Sequence, residues 1–345
     1  MSISTHAEVV AKTTDLTREE WLEVRRSGIG GSDLASVLGE SKWTSPLALY
    51  ANKTGLVQSN DNTNEAMEWG NALELAVAQR VAKVYDAAVV SWPVVLRSRS
   101  NPFMLANLDF LIVEPSEDFP VGVVTEWNSE IEPPCEVVNI LEIKTTGIVG
   151  RASREWEDDN VPLAYERQGN HYSIVTGIEG VVFAALVAGS GLQVRGRLYN
   201  SPEKNAWIVE KEREFWADCM NHVEPEPIGS DSDFDVIKSL YPKHEEGASI
   251  EADDFLLDTI LAYSKMKTEL DEAERRVKEL RAKIELAIGA NESLTHHGRL
   301  VATFKATKDG TTVDTKALAE AHPEIVAAFT KPKSGYRVLR IKEEK

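Results

Sequence analysis

The 345-residue chain has little cysteine and no long apolar run. Its two cysteines, Cys135 and Cys219, lie far apart and form no Cys-x-x-Cys pair, which argues against a zinc knuckle or an iron–sulfur cluster. Such a chain is expected in a reduced, cytoplasmic compartment. No stretch reaches the roughly 20 apolar residues that a membrane helix needs. The first residues also lack the basic and apolar segments of a signal peptide.

Positive charge is scarce as well. The chain has 38 Lys and Arg against 56 Asp and Glu, a net charge of −18. This balance argues against nucleic acid, whose partners usually carry a basic surface. Net charge says little about a single groove, however. Basic residues do cluster locally, at Arg25 and Arg26, at Lys144, Arg151 and Arg154, and at Arg195 and Arg197.

The composition that remains is that of a globular protein, with 42% hydrophobic and 27% charged residues. We predict a flexible leader over residues 1–17, a main domain over 18–222 and an acidic, Pro- and Gly-containing linker over 223–250. An accessory region over 251–345 holds a long helix and a small α+β appendage, with strands predicted over 300–306 and 336–341 and a helix over 314–321 between them. The helix, predicted over 252–288, carries apolar residues at alternating spacings of three and four, typical of a coiled coil. It either pairs with another helix or lies along the main domain.

The main domain alternates helical and strand patterns, which predicts an α/β (α+β) fold. Thr17 and Glu20 form a capping-box pattern that opens the first helix. A glycine-rich turn at 28–31 follows, and Ser32 or Asp33 can cap the next helix. Further predictions are a polar loop at 58–64, helices over 69–85 and 162–177, strands over 89–96, 103–113 and 137–146, and a hairpin over 181–199. Residues 114–134 form an acidic insertion, predicted as a long hairpin loop.

The strand at 137–146 carries an acid and a base on one face. Side chains alternate along a strand, so Glu142 and Lys144 point the same way. Taken alone, a Glu-x-Lys pair is more often a solvated ion pair. Two other acids change this view: Asp109 interrupts an apolar strand, and Glu74 falls on the apolar face of the 69–85 helix. A buried acid is costly unless it is paired, protonated or bound to a metal, although Glu74 could also turn towards water or favour the helix dipole.

These four residues are a pattern of metal-dependent phosphodiester hydrolysis. Hard cations such as Mg²⁺ prefer carboxylate and water ligands, and a lysine beside them can orient water or stabilise charge on a phosphate. The chain here resembles the PD-(D/E)XK nucleases, and within them the YqaJ-like phage recombination exonucleases related to lambda exonuclease. The matching motifs, in family order over residues 20–220, are Trp21…Arg25…Gly28-Ile-Gly-Gly-Ser-Asp33, Pro46-Leu-Ala-Leu-Tyr50…Lys53-Thr-Gly55, Trp69-Gly70…Glu74, Ala106-Asn-Leu-Asp109, Leu141-Glu-Ile-Lys144 and Gln168…Val175-Thr-Gly177.

The resemblance implies a restriction-endonuclease-like core, in which helices flank a mixed central sheet. It also implies a role for each matched residue. Asp109, Glu142 and the carbonyl of Ile143 would ligate Mg²⁺ or Mn²⁺, and Glu74 would hold the metal site from its helix. Lys144 would position the nucleophile, and Gln168 would line the site. Two further matches, Arg25 and Ser32, correspond to residues that bind the 5′ phosphate of a DNA end. A helix N-terminus at Ser32 and a bidentate arginine both suit an anion.

The activity so implied is 5′→3′ degradation of one strand of double-stranded DNA, giving 3′ tails for homologous recombination. Its expected partners are double-stranded DNA ends, a single-strand annealing protein and further copies of the chain in a ring, such as a trimer. A ring with basic residues inside would reconcile the net charge with the substrate. No membrane is involved, and a phage-encoded protein of this kind would work in the cytoplasm of a bacterial host. The alternatives are an endonuclease of the same superfamily, or a non-catalytic DNA-binding or coiled-coil adaptor.

Overall fold

The computed structural model describes residues 2–57, 65–146, 155–187, 191–332 and 335–342. The chain divides into two compact units, Met1–Tyr241 and Pro242–Lys345. The predicted loop at 58–64 and the basic residues Arg151 and Arg154 lie outside the described residues. Within those ranges, no helix combines the length and apolar character needed to cross a bilayer.

The described residues of the first unit form ten strands in two mixed sheets, which confirms the α/β prediction. The larger sheet has the order β10-β9-β8-β6-β3-β7, and the smaller has the order β1-β4-β5-β2. Both contain parallel and antiparallel neighbours. The strands are β1 (Ala7–Lys12), β2 (Ile29–Gly30), β3 (Ala88–Ser91), β4 (Val94–Ser98), β5 (Met104–Asn107), β6 (Phe110–Val113), β7 (Val124–Glu126), β8 (Val137–Thr146), β9 (Gly180–Val187) and β10 (Gly191–Leu198).

Seven helices accompany these sheets among the described residues of the first unit. They are α1 (Arg18–Arg26), α2 (Leu34–Val37), α3 (Pro46–Lys53), α4 (Glu65–Val84), α5 (Leu163–Thr176), α6 (Pro202–Asn221) and α7 (Asp231–Leu240). Local signals account for several ends: α1 begins with the predicted capping box of Thr17 and Glu20. The α5 helix follows Pro162 and ends at Gly177, whose φ of 76° suits glycine.

Two helices cover opposite faces of the strand β8. On one face, Leu141 and Ile143 pack with Val77 and Val81 of α4. On the other, Ile140 joins a core that includes Tyr172 and Val175 of α5 and residues of both sheets. Glu142 lies on this second face, because side chains alternate along the strand. The central strand is therefore covered on both sides, which explains its apolar character.

Two predicted long strands are each broken in the structure. The predicted strand over 89–96 is β3 and β4, which belong to different sheets. The break falls at Trp92-Pro93, where proline supplies no N–H for a continuous ladder. The predicted strand over 103–113 is β5 and β6, separated at Leu108-Asp109. Each break lets the chain pass from one sheet to the other.

The predicted flexible leader over 1–17 is corrected by the structure. Residues 7–12 form β1, which pairs antiparallel with β4, and Ile3 is fully buried. The carboxylate of Glu132 accepts the backbone N–H groups of Ile3 and Ser4 at 2.6 and 2.9 Å. Glu132 belongs to the acidic insertion 114–134, which also contributes β7 beside β3. The insertion therefore anchors the N-terminal segment instead of forming a simple hairpin loop.

The predicted linker over 223–250 also differs from the structure. Ser230 caps α7, and Val236 of α7 packs with Leu49, Tyr50 and Phe215 in a third core. The first unit therefore extends to Tyr241. The acidic composition of the segment hid the few apolar residues that attach this helix.

The second unit consists of a long helix and a small α+β part. It holds the long helix α8 (Asp254–Ile288), an antiparallel hairpin of β11 (Ser293–His296) and β12 (Arg299–Thr303), and the short helices α9 (Thr315–Ala321) and α10 (Pro323–Phe329). The long helix and the α+β appendage follow the prediction. The predicted strand over 336–341 is absent from the described residues, and β11 is the strand that pairs with β12.

Candidate active site

Glu142 on β8 is the centre of a small polar network. Its side chain is buried, and its Oε1 atom accepts a hydrogen bond from Lys144 Nζ, two residues along the same face. The same oxygen accepts from Gln168 Nε2 of α5 at 2.7 Å. The ring of Tyr165 lies 4.9 Å from Lys144 Nζ. Two residues that the sequence pointed to, Lys144 and Gln168, therefore donate to the same oxygen of a third, Glu142.

Asp109 reaches the same strand through the backbone. It lies just before β6, where the chain leaves β5, and its Oδ2 atom accepts the N–H of Ile143 at 2.8 Å. Burial and the charge of Asp109 raise the pKa of Glu74 on α4, while Lys144 opposes this rise. The acids from three separate elements thus interact at one end of the larger sheet.

The proximity of Glu74, Asp109 and Glu142 disfavours the state in which all three carboxylates are ionised. Burial first and the neighbouring Asp109 second raise the pKa of Glu142 to about 8. Burial, again with Asp109, raises the pKa of Glu74 to about 7, and burial raises that of Asp109. For Lys144, burial acts against the charge, but Glu142 and Asp109 outweigh it and raise its pKa. The site therefore has one firmly held positive charge and an excess of acids.

The predicted phosphate-binding pair lies in a cavity that also reaches the acids. One cavity of about 650 Å³ is lined by Arg25, Ser32, Glu74 and Asp109. Arg25 donates to Ser32 Oγ at 3.1 Å and lies 3.4 Å from Asp33 Oδ1. Four of the seven side chains proposed from the sequence therefore line this cavity. The other three form the hydrogen-bonded network on β8 and α5, next to the Ile143 backbone that Asp109 contacts; they are Glu142, Lys144 and Gln168.

The helix predicted to begin at Ser32 is corrected. Residues 31–33 form a 3₁₀ turn, and α2 after it spans only Leu34–Val37. Asp33, not Ser32, accepts the N–H of Gly30 at 2.9 Å. So short a helix contributes little dipole. The predicted anion site therefore rests on the Arg25 guanidinium and the Ser32 hydroxyl.

Comparison with known proteins identifies the family of this chain. A family model described as the YqaJ-like viral recombinase domain matches residues 20–179. The chain is 30% identical over 343 residues to the uncharacterized protein YqaJ of Bacillus subtilis (strain 168), and the match covers 99% of both proteins. The chain belongs to the YqaJ-like viral recombinase family.

Two solved structures are more distant. An alkaline exonuclease from Laribacter hongkongensis, LHK-Exo, aligns with a TM-score of 0.44 and 17% identity over 60% of this chain and 94% of its own. A complex of LHK-Exo with dAMP aligns with the same TM-score and coverage at 16% identity. At this level of similarity, neither assigns a role to a residue of this YqaJ-like chain.

The structure adds Tyr172 to the site of this YqaJ-like protein. Its hydroxyl accepts from Gln168 Nε2 at 2.8 Å and donates to the carbonyl of Asn107 at 2.8 Å. Gly31 allows the ring to approach the glycine turn, because a Cβ there would lie 2.5 Å from Tyr172 Cε1. A sequence signal did exist: Tyr172 follows Gln168 by four residues, so both lie on one face of a helix.

Two other basic residues from the sequence analysis form ion pairs outside this network. Arg195 pairs with Asp159, and Arg197 pairs with Glu166. Neither lines the cavity that holds Arg25 and Asp109.

Arg25 is supported by a buried lysine. Lys53 contacts Asp33 Oδ2 at 2.8 Å and donates to the Arg25 carbonyl at 2.8 Å. The sequence had matched Lys53 to the family motif without assigning it this supporting contact.

The donor set fits a hard divalent cation. Glu142 Oε2 is buried and finds no hydrogen-bond partner in the described part of the chain. The raised pKa values of Glu74 and Glu142 indicate that a nearby positive charge would favour their ionised forms. No group of three or more Asp, Glu, His or Cys side chains in the described ranges is close enough to enclose a metal. Mg²⁺ commonly uses only one or two carboxylates and keeps several waters.

Proposed function

We propose that this YqaJ-like protein is a metal-dependent 5′→3′ exonuclease that degrades one strand of double-stranded DNA from its ends. The observation that carries the proposal is the shared cavity, whose lining includes Arg25 and Ser32 as well as Glu74 and Asp109. An anion-binding pair and a cluster of acids in one cleft suit a substrate with a terminal phosphate and a nearby scissile phosphodiester.

The residues that would hold Mg²⁺ or Mn²⁺ are Asp109, Glu142, the carbonyl of Ile143 and, from α4, Glu74. When bound, the ion would neutralise charge on the scissile phosphate and activate a water molecule. Lys144 keeps its proton beside Glu142 and can hydrogen-bond to the attacking water or to a phosphate oxygen. Gln168 donates to Glu142 and holds the orientation of that carboxylate.

The first test asks whether cleavage depends on the metal site itself or only on an intact fold. DNA cleavage should require Mg²⁺ or Mn²⁺ and stop with a chelator. Asp109→Ala and Glu142→Ala should each abolish cleavage while the thermal unfolding temperature changes little, because each removes a carboxylate whose burial is costly. Lys144→Ala should reduce the rate more than the metal affinity, since lysine is not a ligand. Cleavage by Glu142→Ala at a near-normal rate would contradict the site assignment.

The second test concerns the end of the DNA. Arg25 and Ser32 should favour a 5′-phosphorylated end over a 5′-hydroxyl end. A charge-assisted contact is worth roughly 1.5–3 kcal/mol, which corresponds to about a tenfold to hundredfold preference. Arg25→Ala should erase the preference but leave metal binding intact. Equal rates on both ends for the unmodified protein, or digestion beginning on the 3′ strand, would rule out the pocket.

The wider role that we propose is recombination. Removal of one strand would leave 3′ single-stranded tails, the substrate of a single-strand annealing protein. A homo-oligomeric ring, such as a trimer, would place basic residues along the DNA and the excess acid outside. A closed circular duplex distinguishes the proposed exonuclease from the alternative, an endonuclease of the same superfamily. An endonuclease would cut the circle, whereas an exonuclease would leave it intact.

A further inference from the structure

The long helix α8 carries a continuous apolar stripe that is exposed in the single chain. Six side chains of this stripe have exposed fractions between 48% and 69%. They are Tyr263, Met266, Leu270, Val277, Leu280 and Ile284. Asp253 caps the helix by accepting the N–H of Leu256 at 2.8 Å, so the helix has a defined start. A stripe of this size on a stable helix is expected to be covered in the assembled protein.

The stripe follows a heptad repeat over the whole of α8. Residues repeating every seven positions from Leu256 occupy the a positions, namely Leu256, Tyr263, Leu270, Val277 and Ile284. The d positions are Thr259, Met266, Ala273, Leu280 and Ala287. Five successive pairs of a and d positions predict a two-helix coiled coil in which these residues form the core.

The charged flanks disfavour a parallel pair of identical helices. In a parallel pair, each g residue faces the e residue of the following heptad on the other helix. Glu269 and Arg276 occupy g positions of α8, and Glu274 and Arg281 occupy e positions. This arrangement would place Glu269 against Glu274 of the second copy. It would also place Arg276 against Arg281. Both contacts join like charges, and each would occur twice.

An antiparallel pair of identical helices reverses both interactions. With the two helices fully overlapped, Glu269 faces Arg276 of the second copy, and Lys267 faces Glu274. Each attractive pair occurs twice because of the two-fold axis. Within one chain, Lys267 and Arg276 contact Asp271 and Glu272 only at 3.8 and 4.0 Å. These weak contacts leave both basic groups able to reach a second helix.

The same register matches large side chains with small ones in the core. Leu270 would face Ala273 of the second copy, and Leu256 would face Ala287. The remaining layers pair Tyr263 with Leu280, Met266 with Val277 and Thr259 with Ile284. None of these facing pairs contains a charged residue, and together they extend along α8 from Leu256 to Ala287. Core shape and flanking charge therefore select the same register.

We propose that α8 is a self-association surface, which pairs antiparallel with α8 of a second copy about an axis between Leu270 and Ala273. The pairing uses only residues 256–287. It does not depend on the proposed nuclease activity.

Site-specific cross-linking of the full chain tests the orientation. The register brings Ala262 next to Lys283 of the second copy, whereas on one helix these residues are about 31 Å apart. The doubly substituted chain Ala262→Cys/Lys283→Cys should give a covalent dimer with a short bismaleimide. The chains with a single substitution and the unmodified chain, which retains Cys135 and Cys219, should not. No dimer from the double variant, or equal dimer from either single variant, would overturn the proposal.

Charge reversal in that double-cysteine background tests the register. Glu269→Arg and Arg276→Glu should each raise the protein concentration needed for half-maximal cross-linking by about tenfold, since two attractive pairs become repulsive. Their combination should restore the original value. Arg275→Glu, the same charge change on the outer face of α8, should have no effect. A parallel pair predicts the opposite, with each single reversal strengthening association, and that result would also overturn the proposal.

Discussion

At the scale of single residues, the site is held together by hydrogen bonds that converge from different elements. Glu142 Oε1 accepts from β8 through Lys144 and from α5 through Gln168. Asp109 attaches its loop to the backbone of Ile143. Because Glu142 and Asp109 are each fixed by a neighbour, these two carboxylates have little freedom to turn away from one another. The arrangement keeps repelling groups close, which is typical of sites prepared for a charged ligand.

Tyr172 is expected to act on the site through Gln168. Tyr172→Phe removes the hydroxyl that accepts from Gln168 and donates to Asn107. We expect a loss of about 0.5–1.5 kcal/mol in stability and a several-fold lower cleavage rate, with little change in the affinity for DNA. Urea unfolding and single-turnover kinetics measure the two effects. Tyr241→Phe, at an exposed tyrosine, is the matched control. An unchanged rate would show that Gln168 does not need this anchor.

Asp33 should make the stability of the protein depend on acidic pH. Burial alone would raise its pKa, but Lys53 first and Arg25 second outweigh burial and lower the pKa from 3.8 to about 2. A group whose pKa is lower in the folded state stabilises the fold above its unfolded pKa, and this contribution is lost as pH falls from about 4 to 2. Its full size is about 2 kcal/mol.

The measurement compares the unmodified protein with Asp33→Asn by urea unfolding at several pH values. The difference in unfolding free energy should be constant above pH 5 and shrink by about 2 kcal/mol towards pH 2. Asp15→Asn, at an exposed ion pair with Lys12, serves as the control and should show a much smaller change. A difference between Asp33→Asn and the unmodified protein that does not vary with pH would contradict the assigned network.

At the scale of elements, α7 is a structural part of the first unit. Its Val236 packs with Leu49 and Phe215, and the N–H of Ser45 donates to Ser232 at 2.9 Å. Removal of α7 would expose that core, and the burial of Val236 alone is worth about 1.5–3 kcal/mol. A fragment ending at Glu224 should therefore melt several degrees below one ending at Tyr241, at about 2–4 °C per kcal/mol. Equal melting temperatures would mean that α7 is dispensable.

At the scale of the whole molecule, the two units should have separable tasks. The residues proposed for cleavage all lie in Met1–Tyr241, and the proposed self-association surface lies in Pro242–Lys345. A fragment of residues 1–241 should cut 5′-phosphorylated linear DNA at a rate per site within about twofold of the full chain. It should also lose the association that α8 provides. Sedimentation velocity and a nuclease assay on the same samples check both; an inactive but folded fragment would assign part of the active site to the second unit.

Much of the fold could be predicted because its signals are local. The alternation along β8, the capping box of Thr17 and Glu20, and the helix between Pro162 and Gly177 each depend on residues within a few positions of one another. The heptads of α8 are equally local. The resemblance to a family, carried by ordered motifs, added the site residues that spacing alone could not connect.

The rest was decided by contacts between distant parts of the chain. Residues 7–12 become a strand because β4 is there to pair with them, and the backbone near Ile3 is held by Glu132. The proximity of Glu74 to Asp109, and the position of Tyr172 against Gly31, likewise arise only when α4, β6 and α5 pack around β8. Sequence by itself determined which segments could form helices and strands and which acids were costly to bury. Only the tertiary structure determined which of those acids share one cavity, because that depends on packing between segments far apart in the chain.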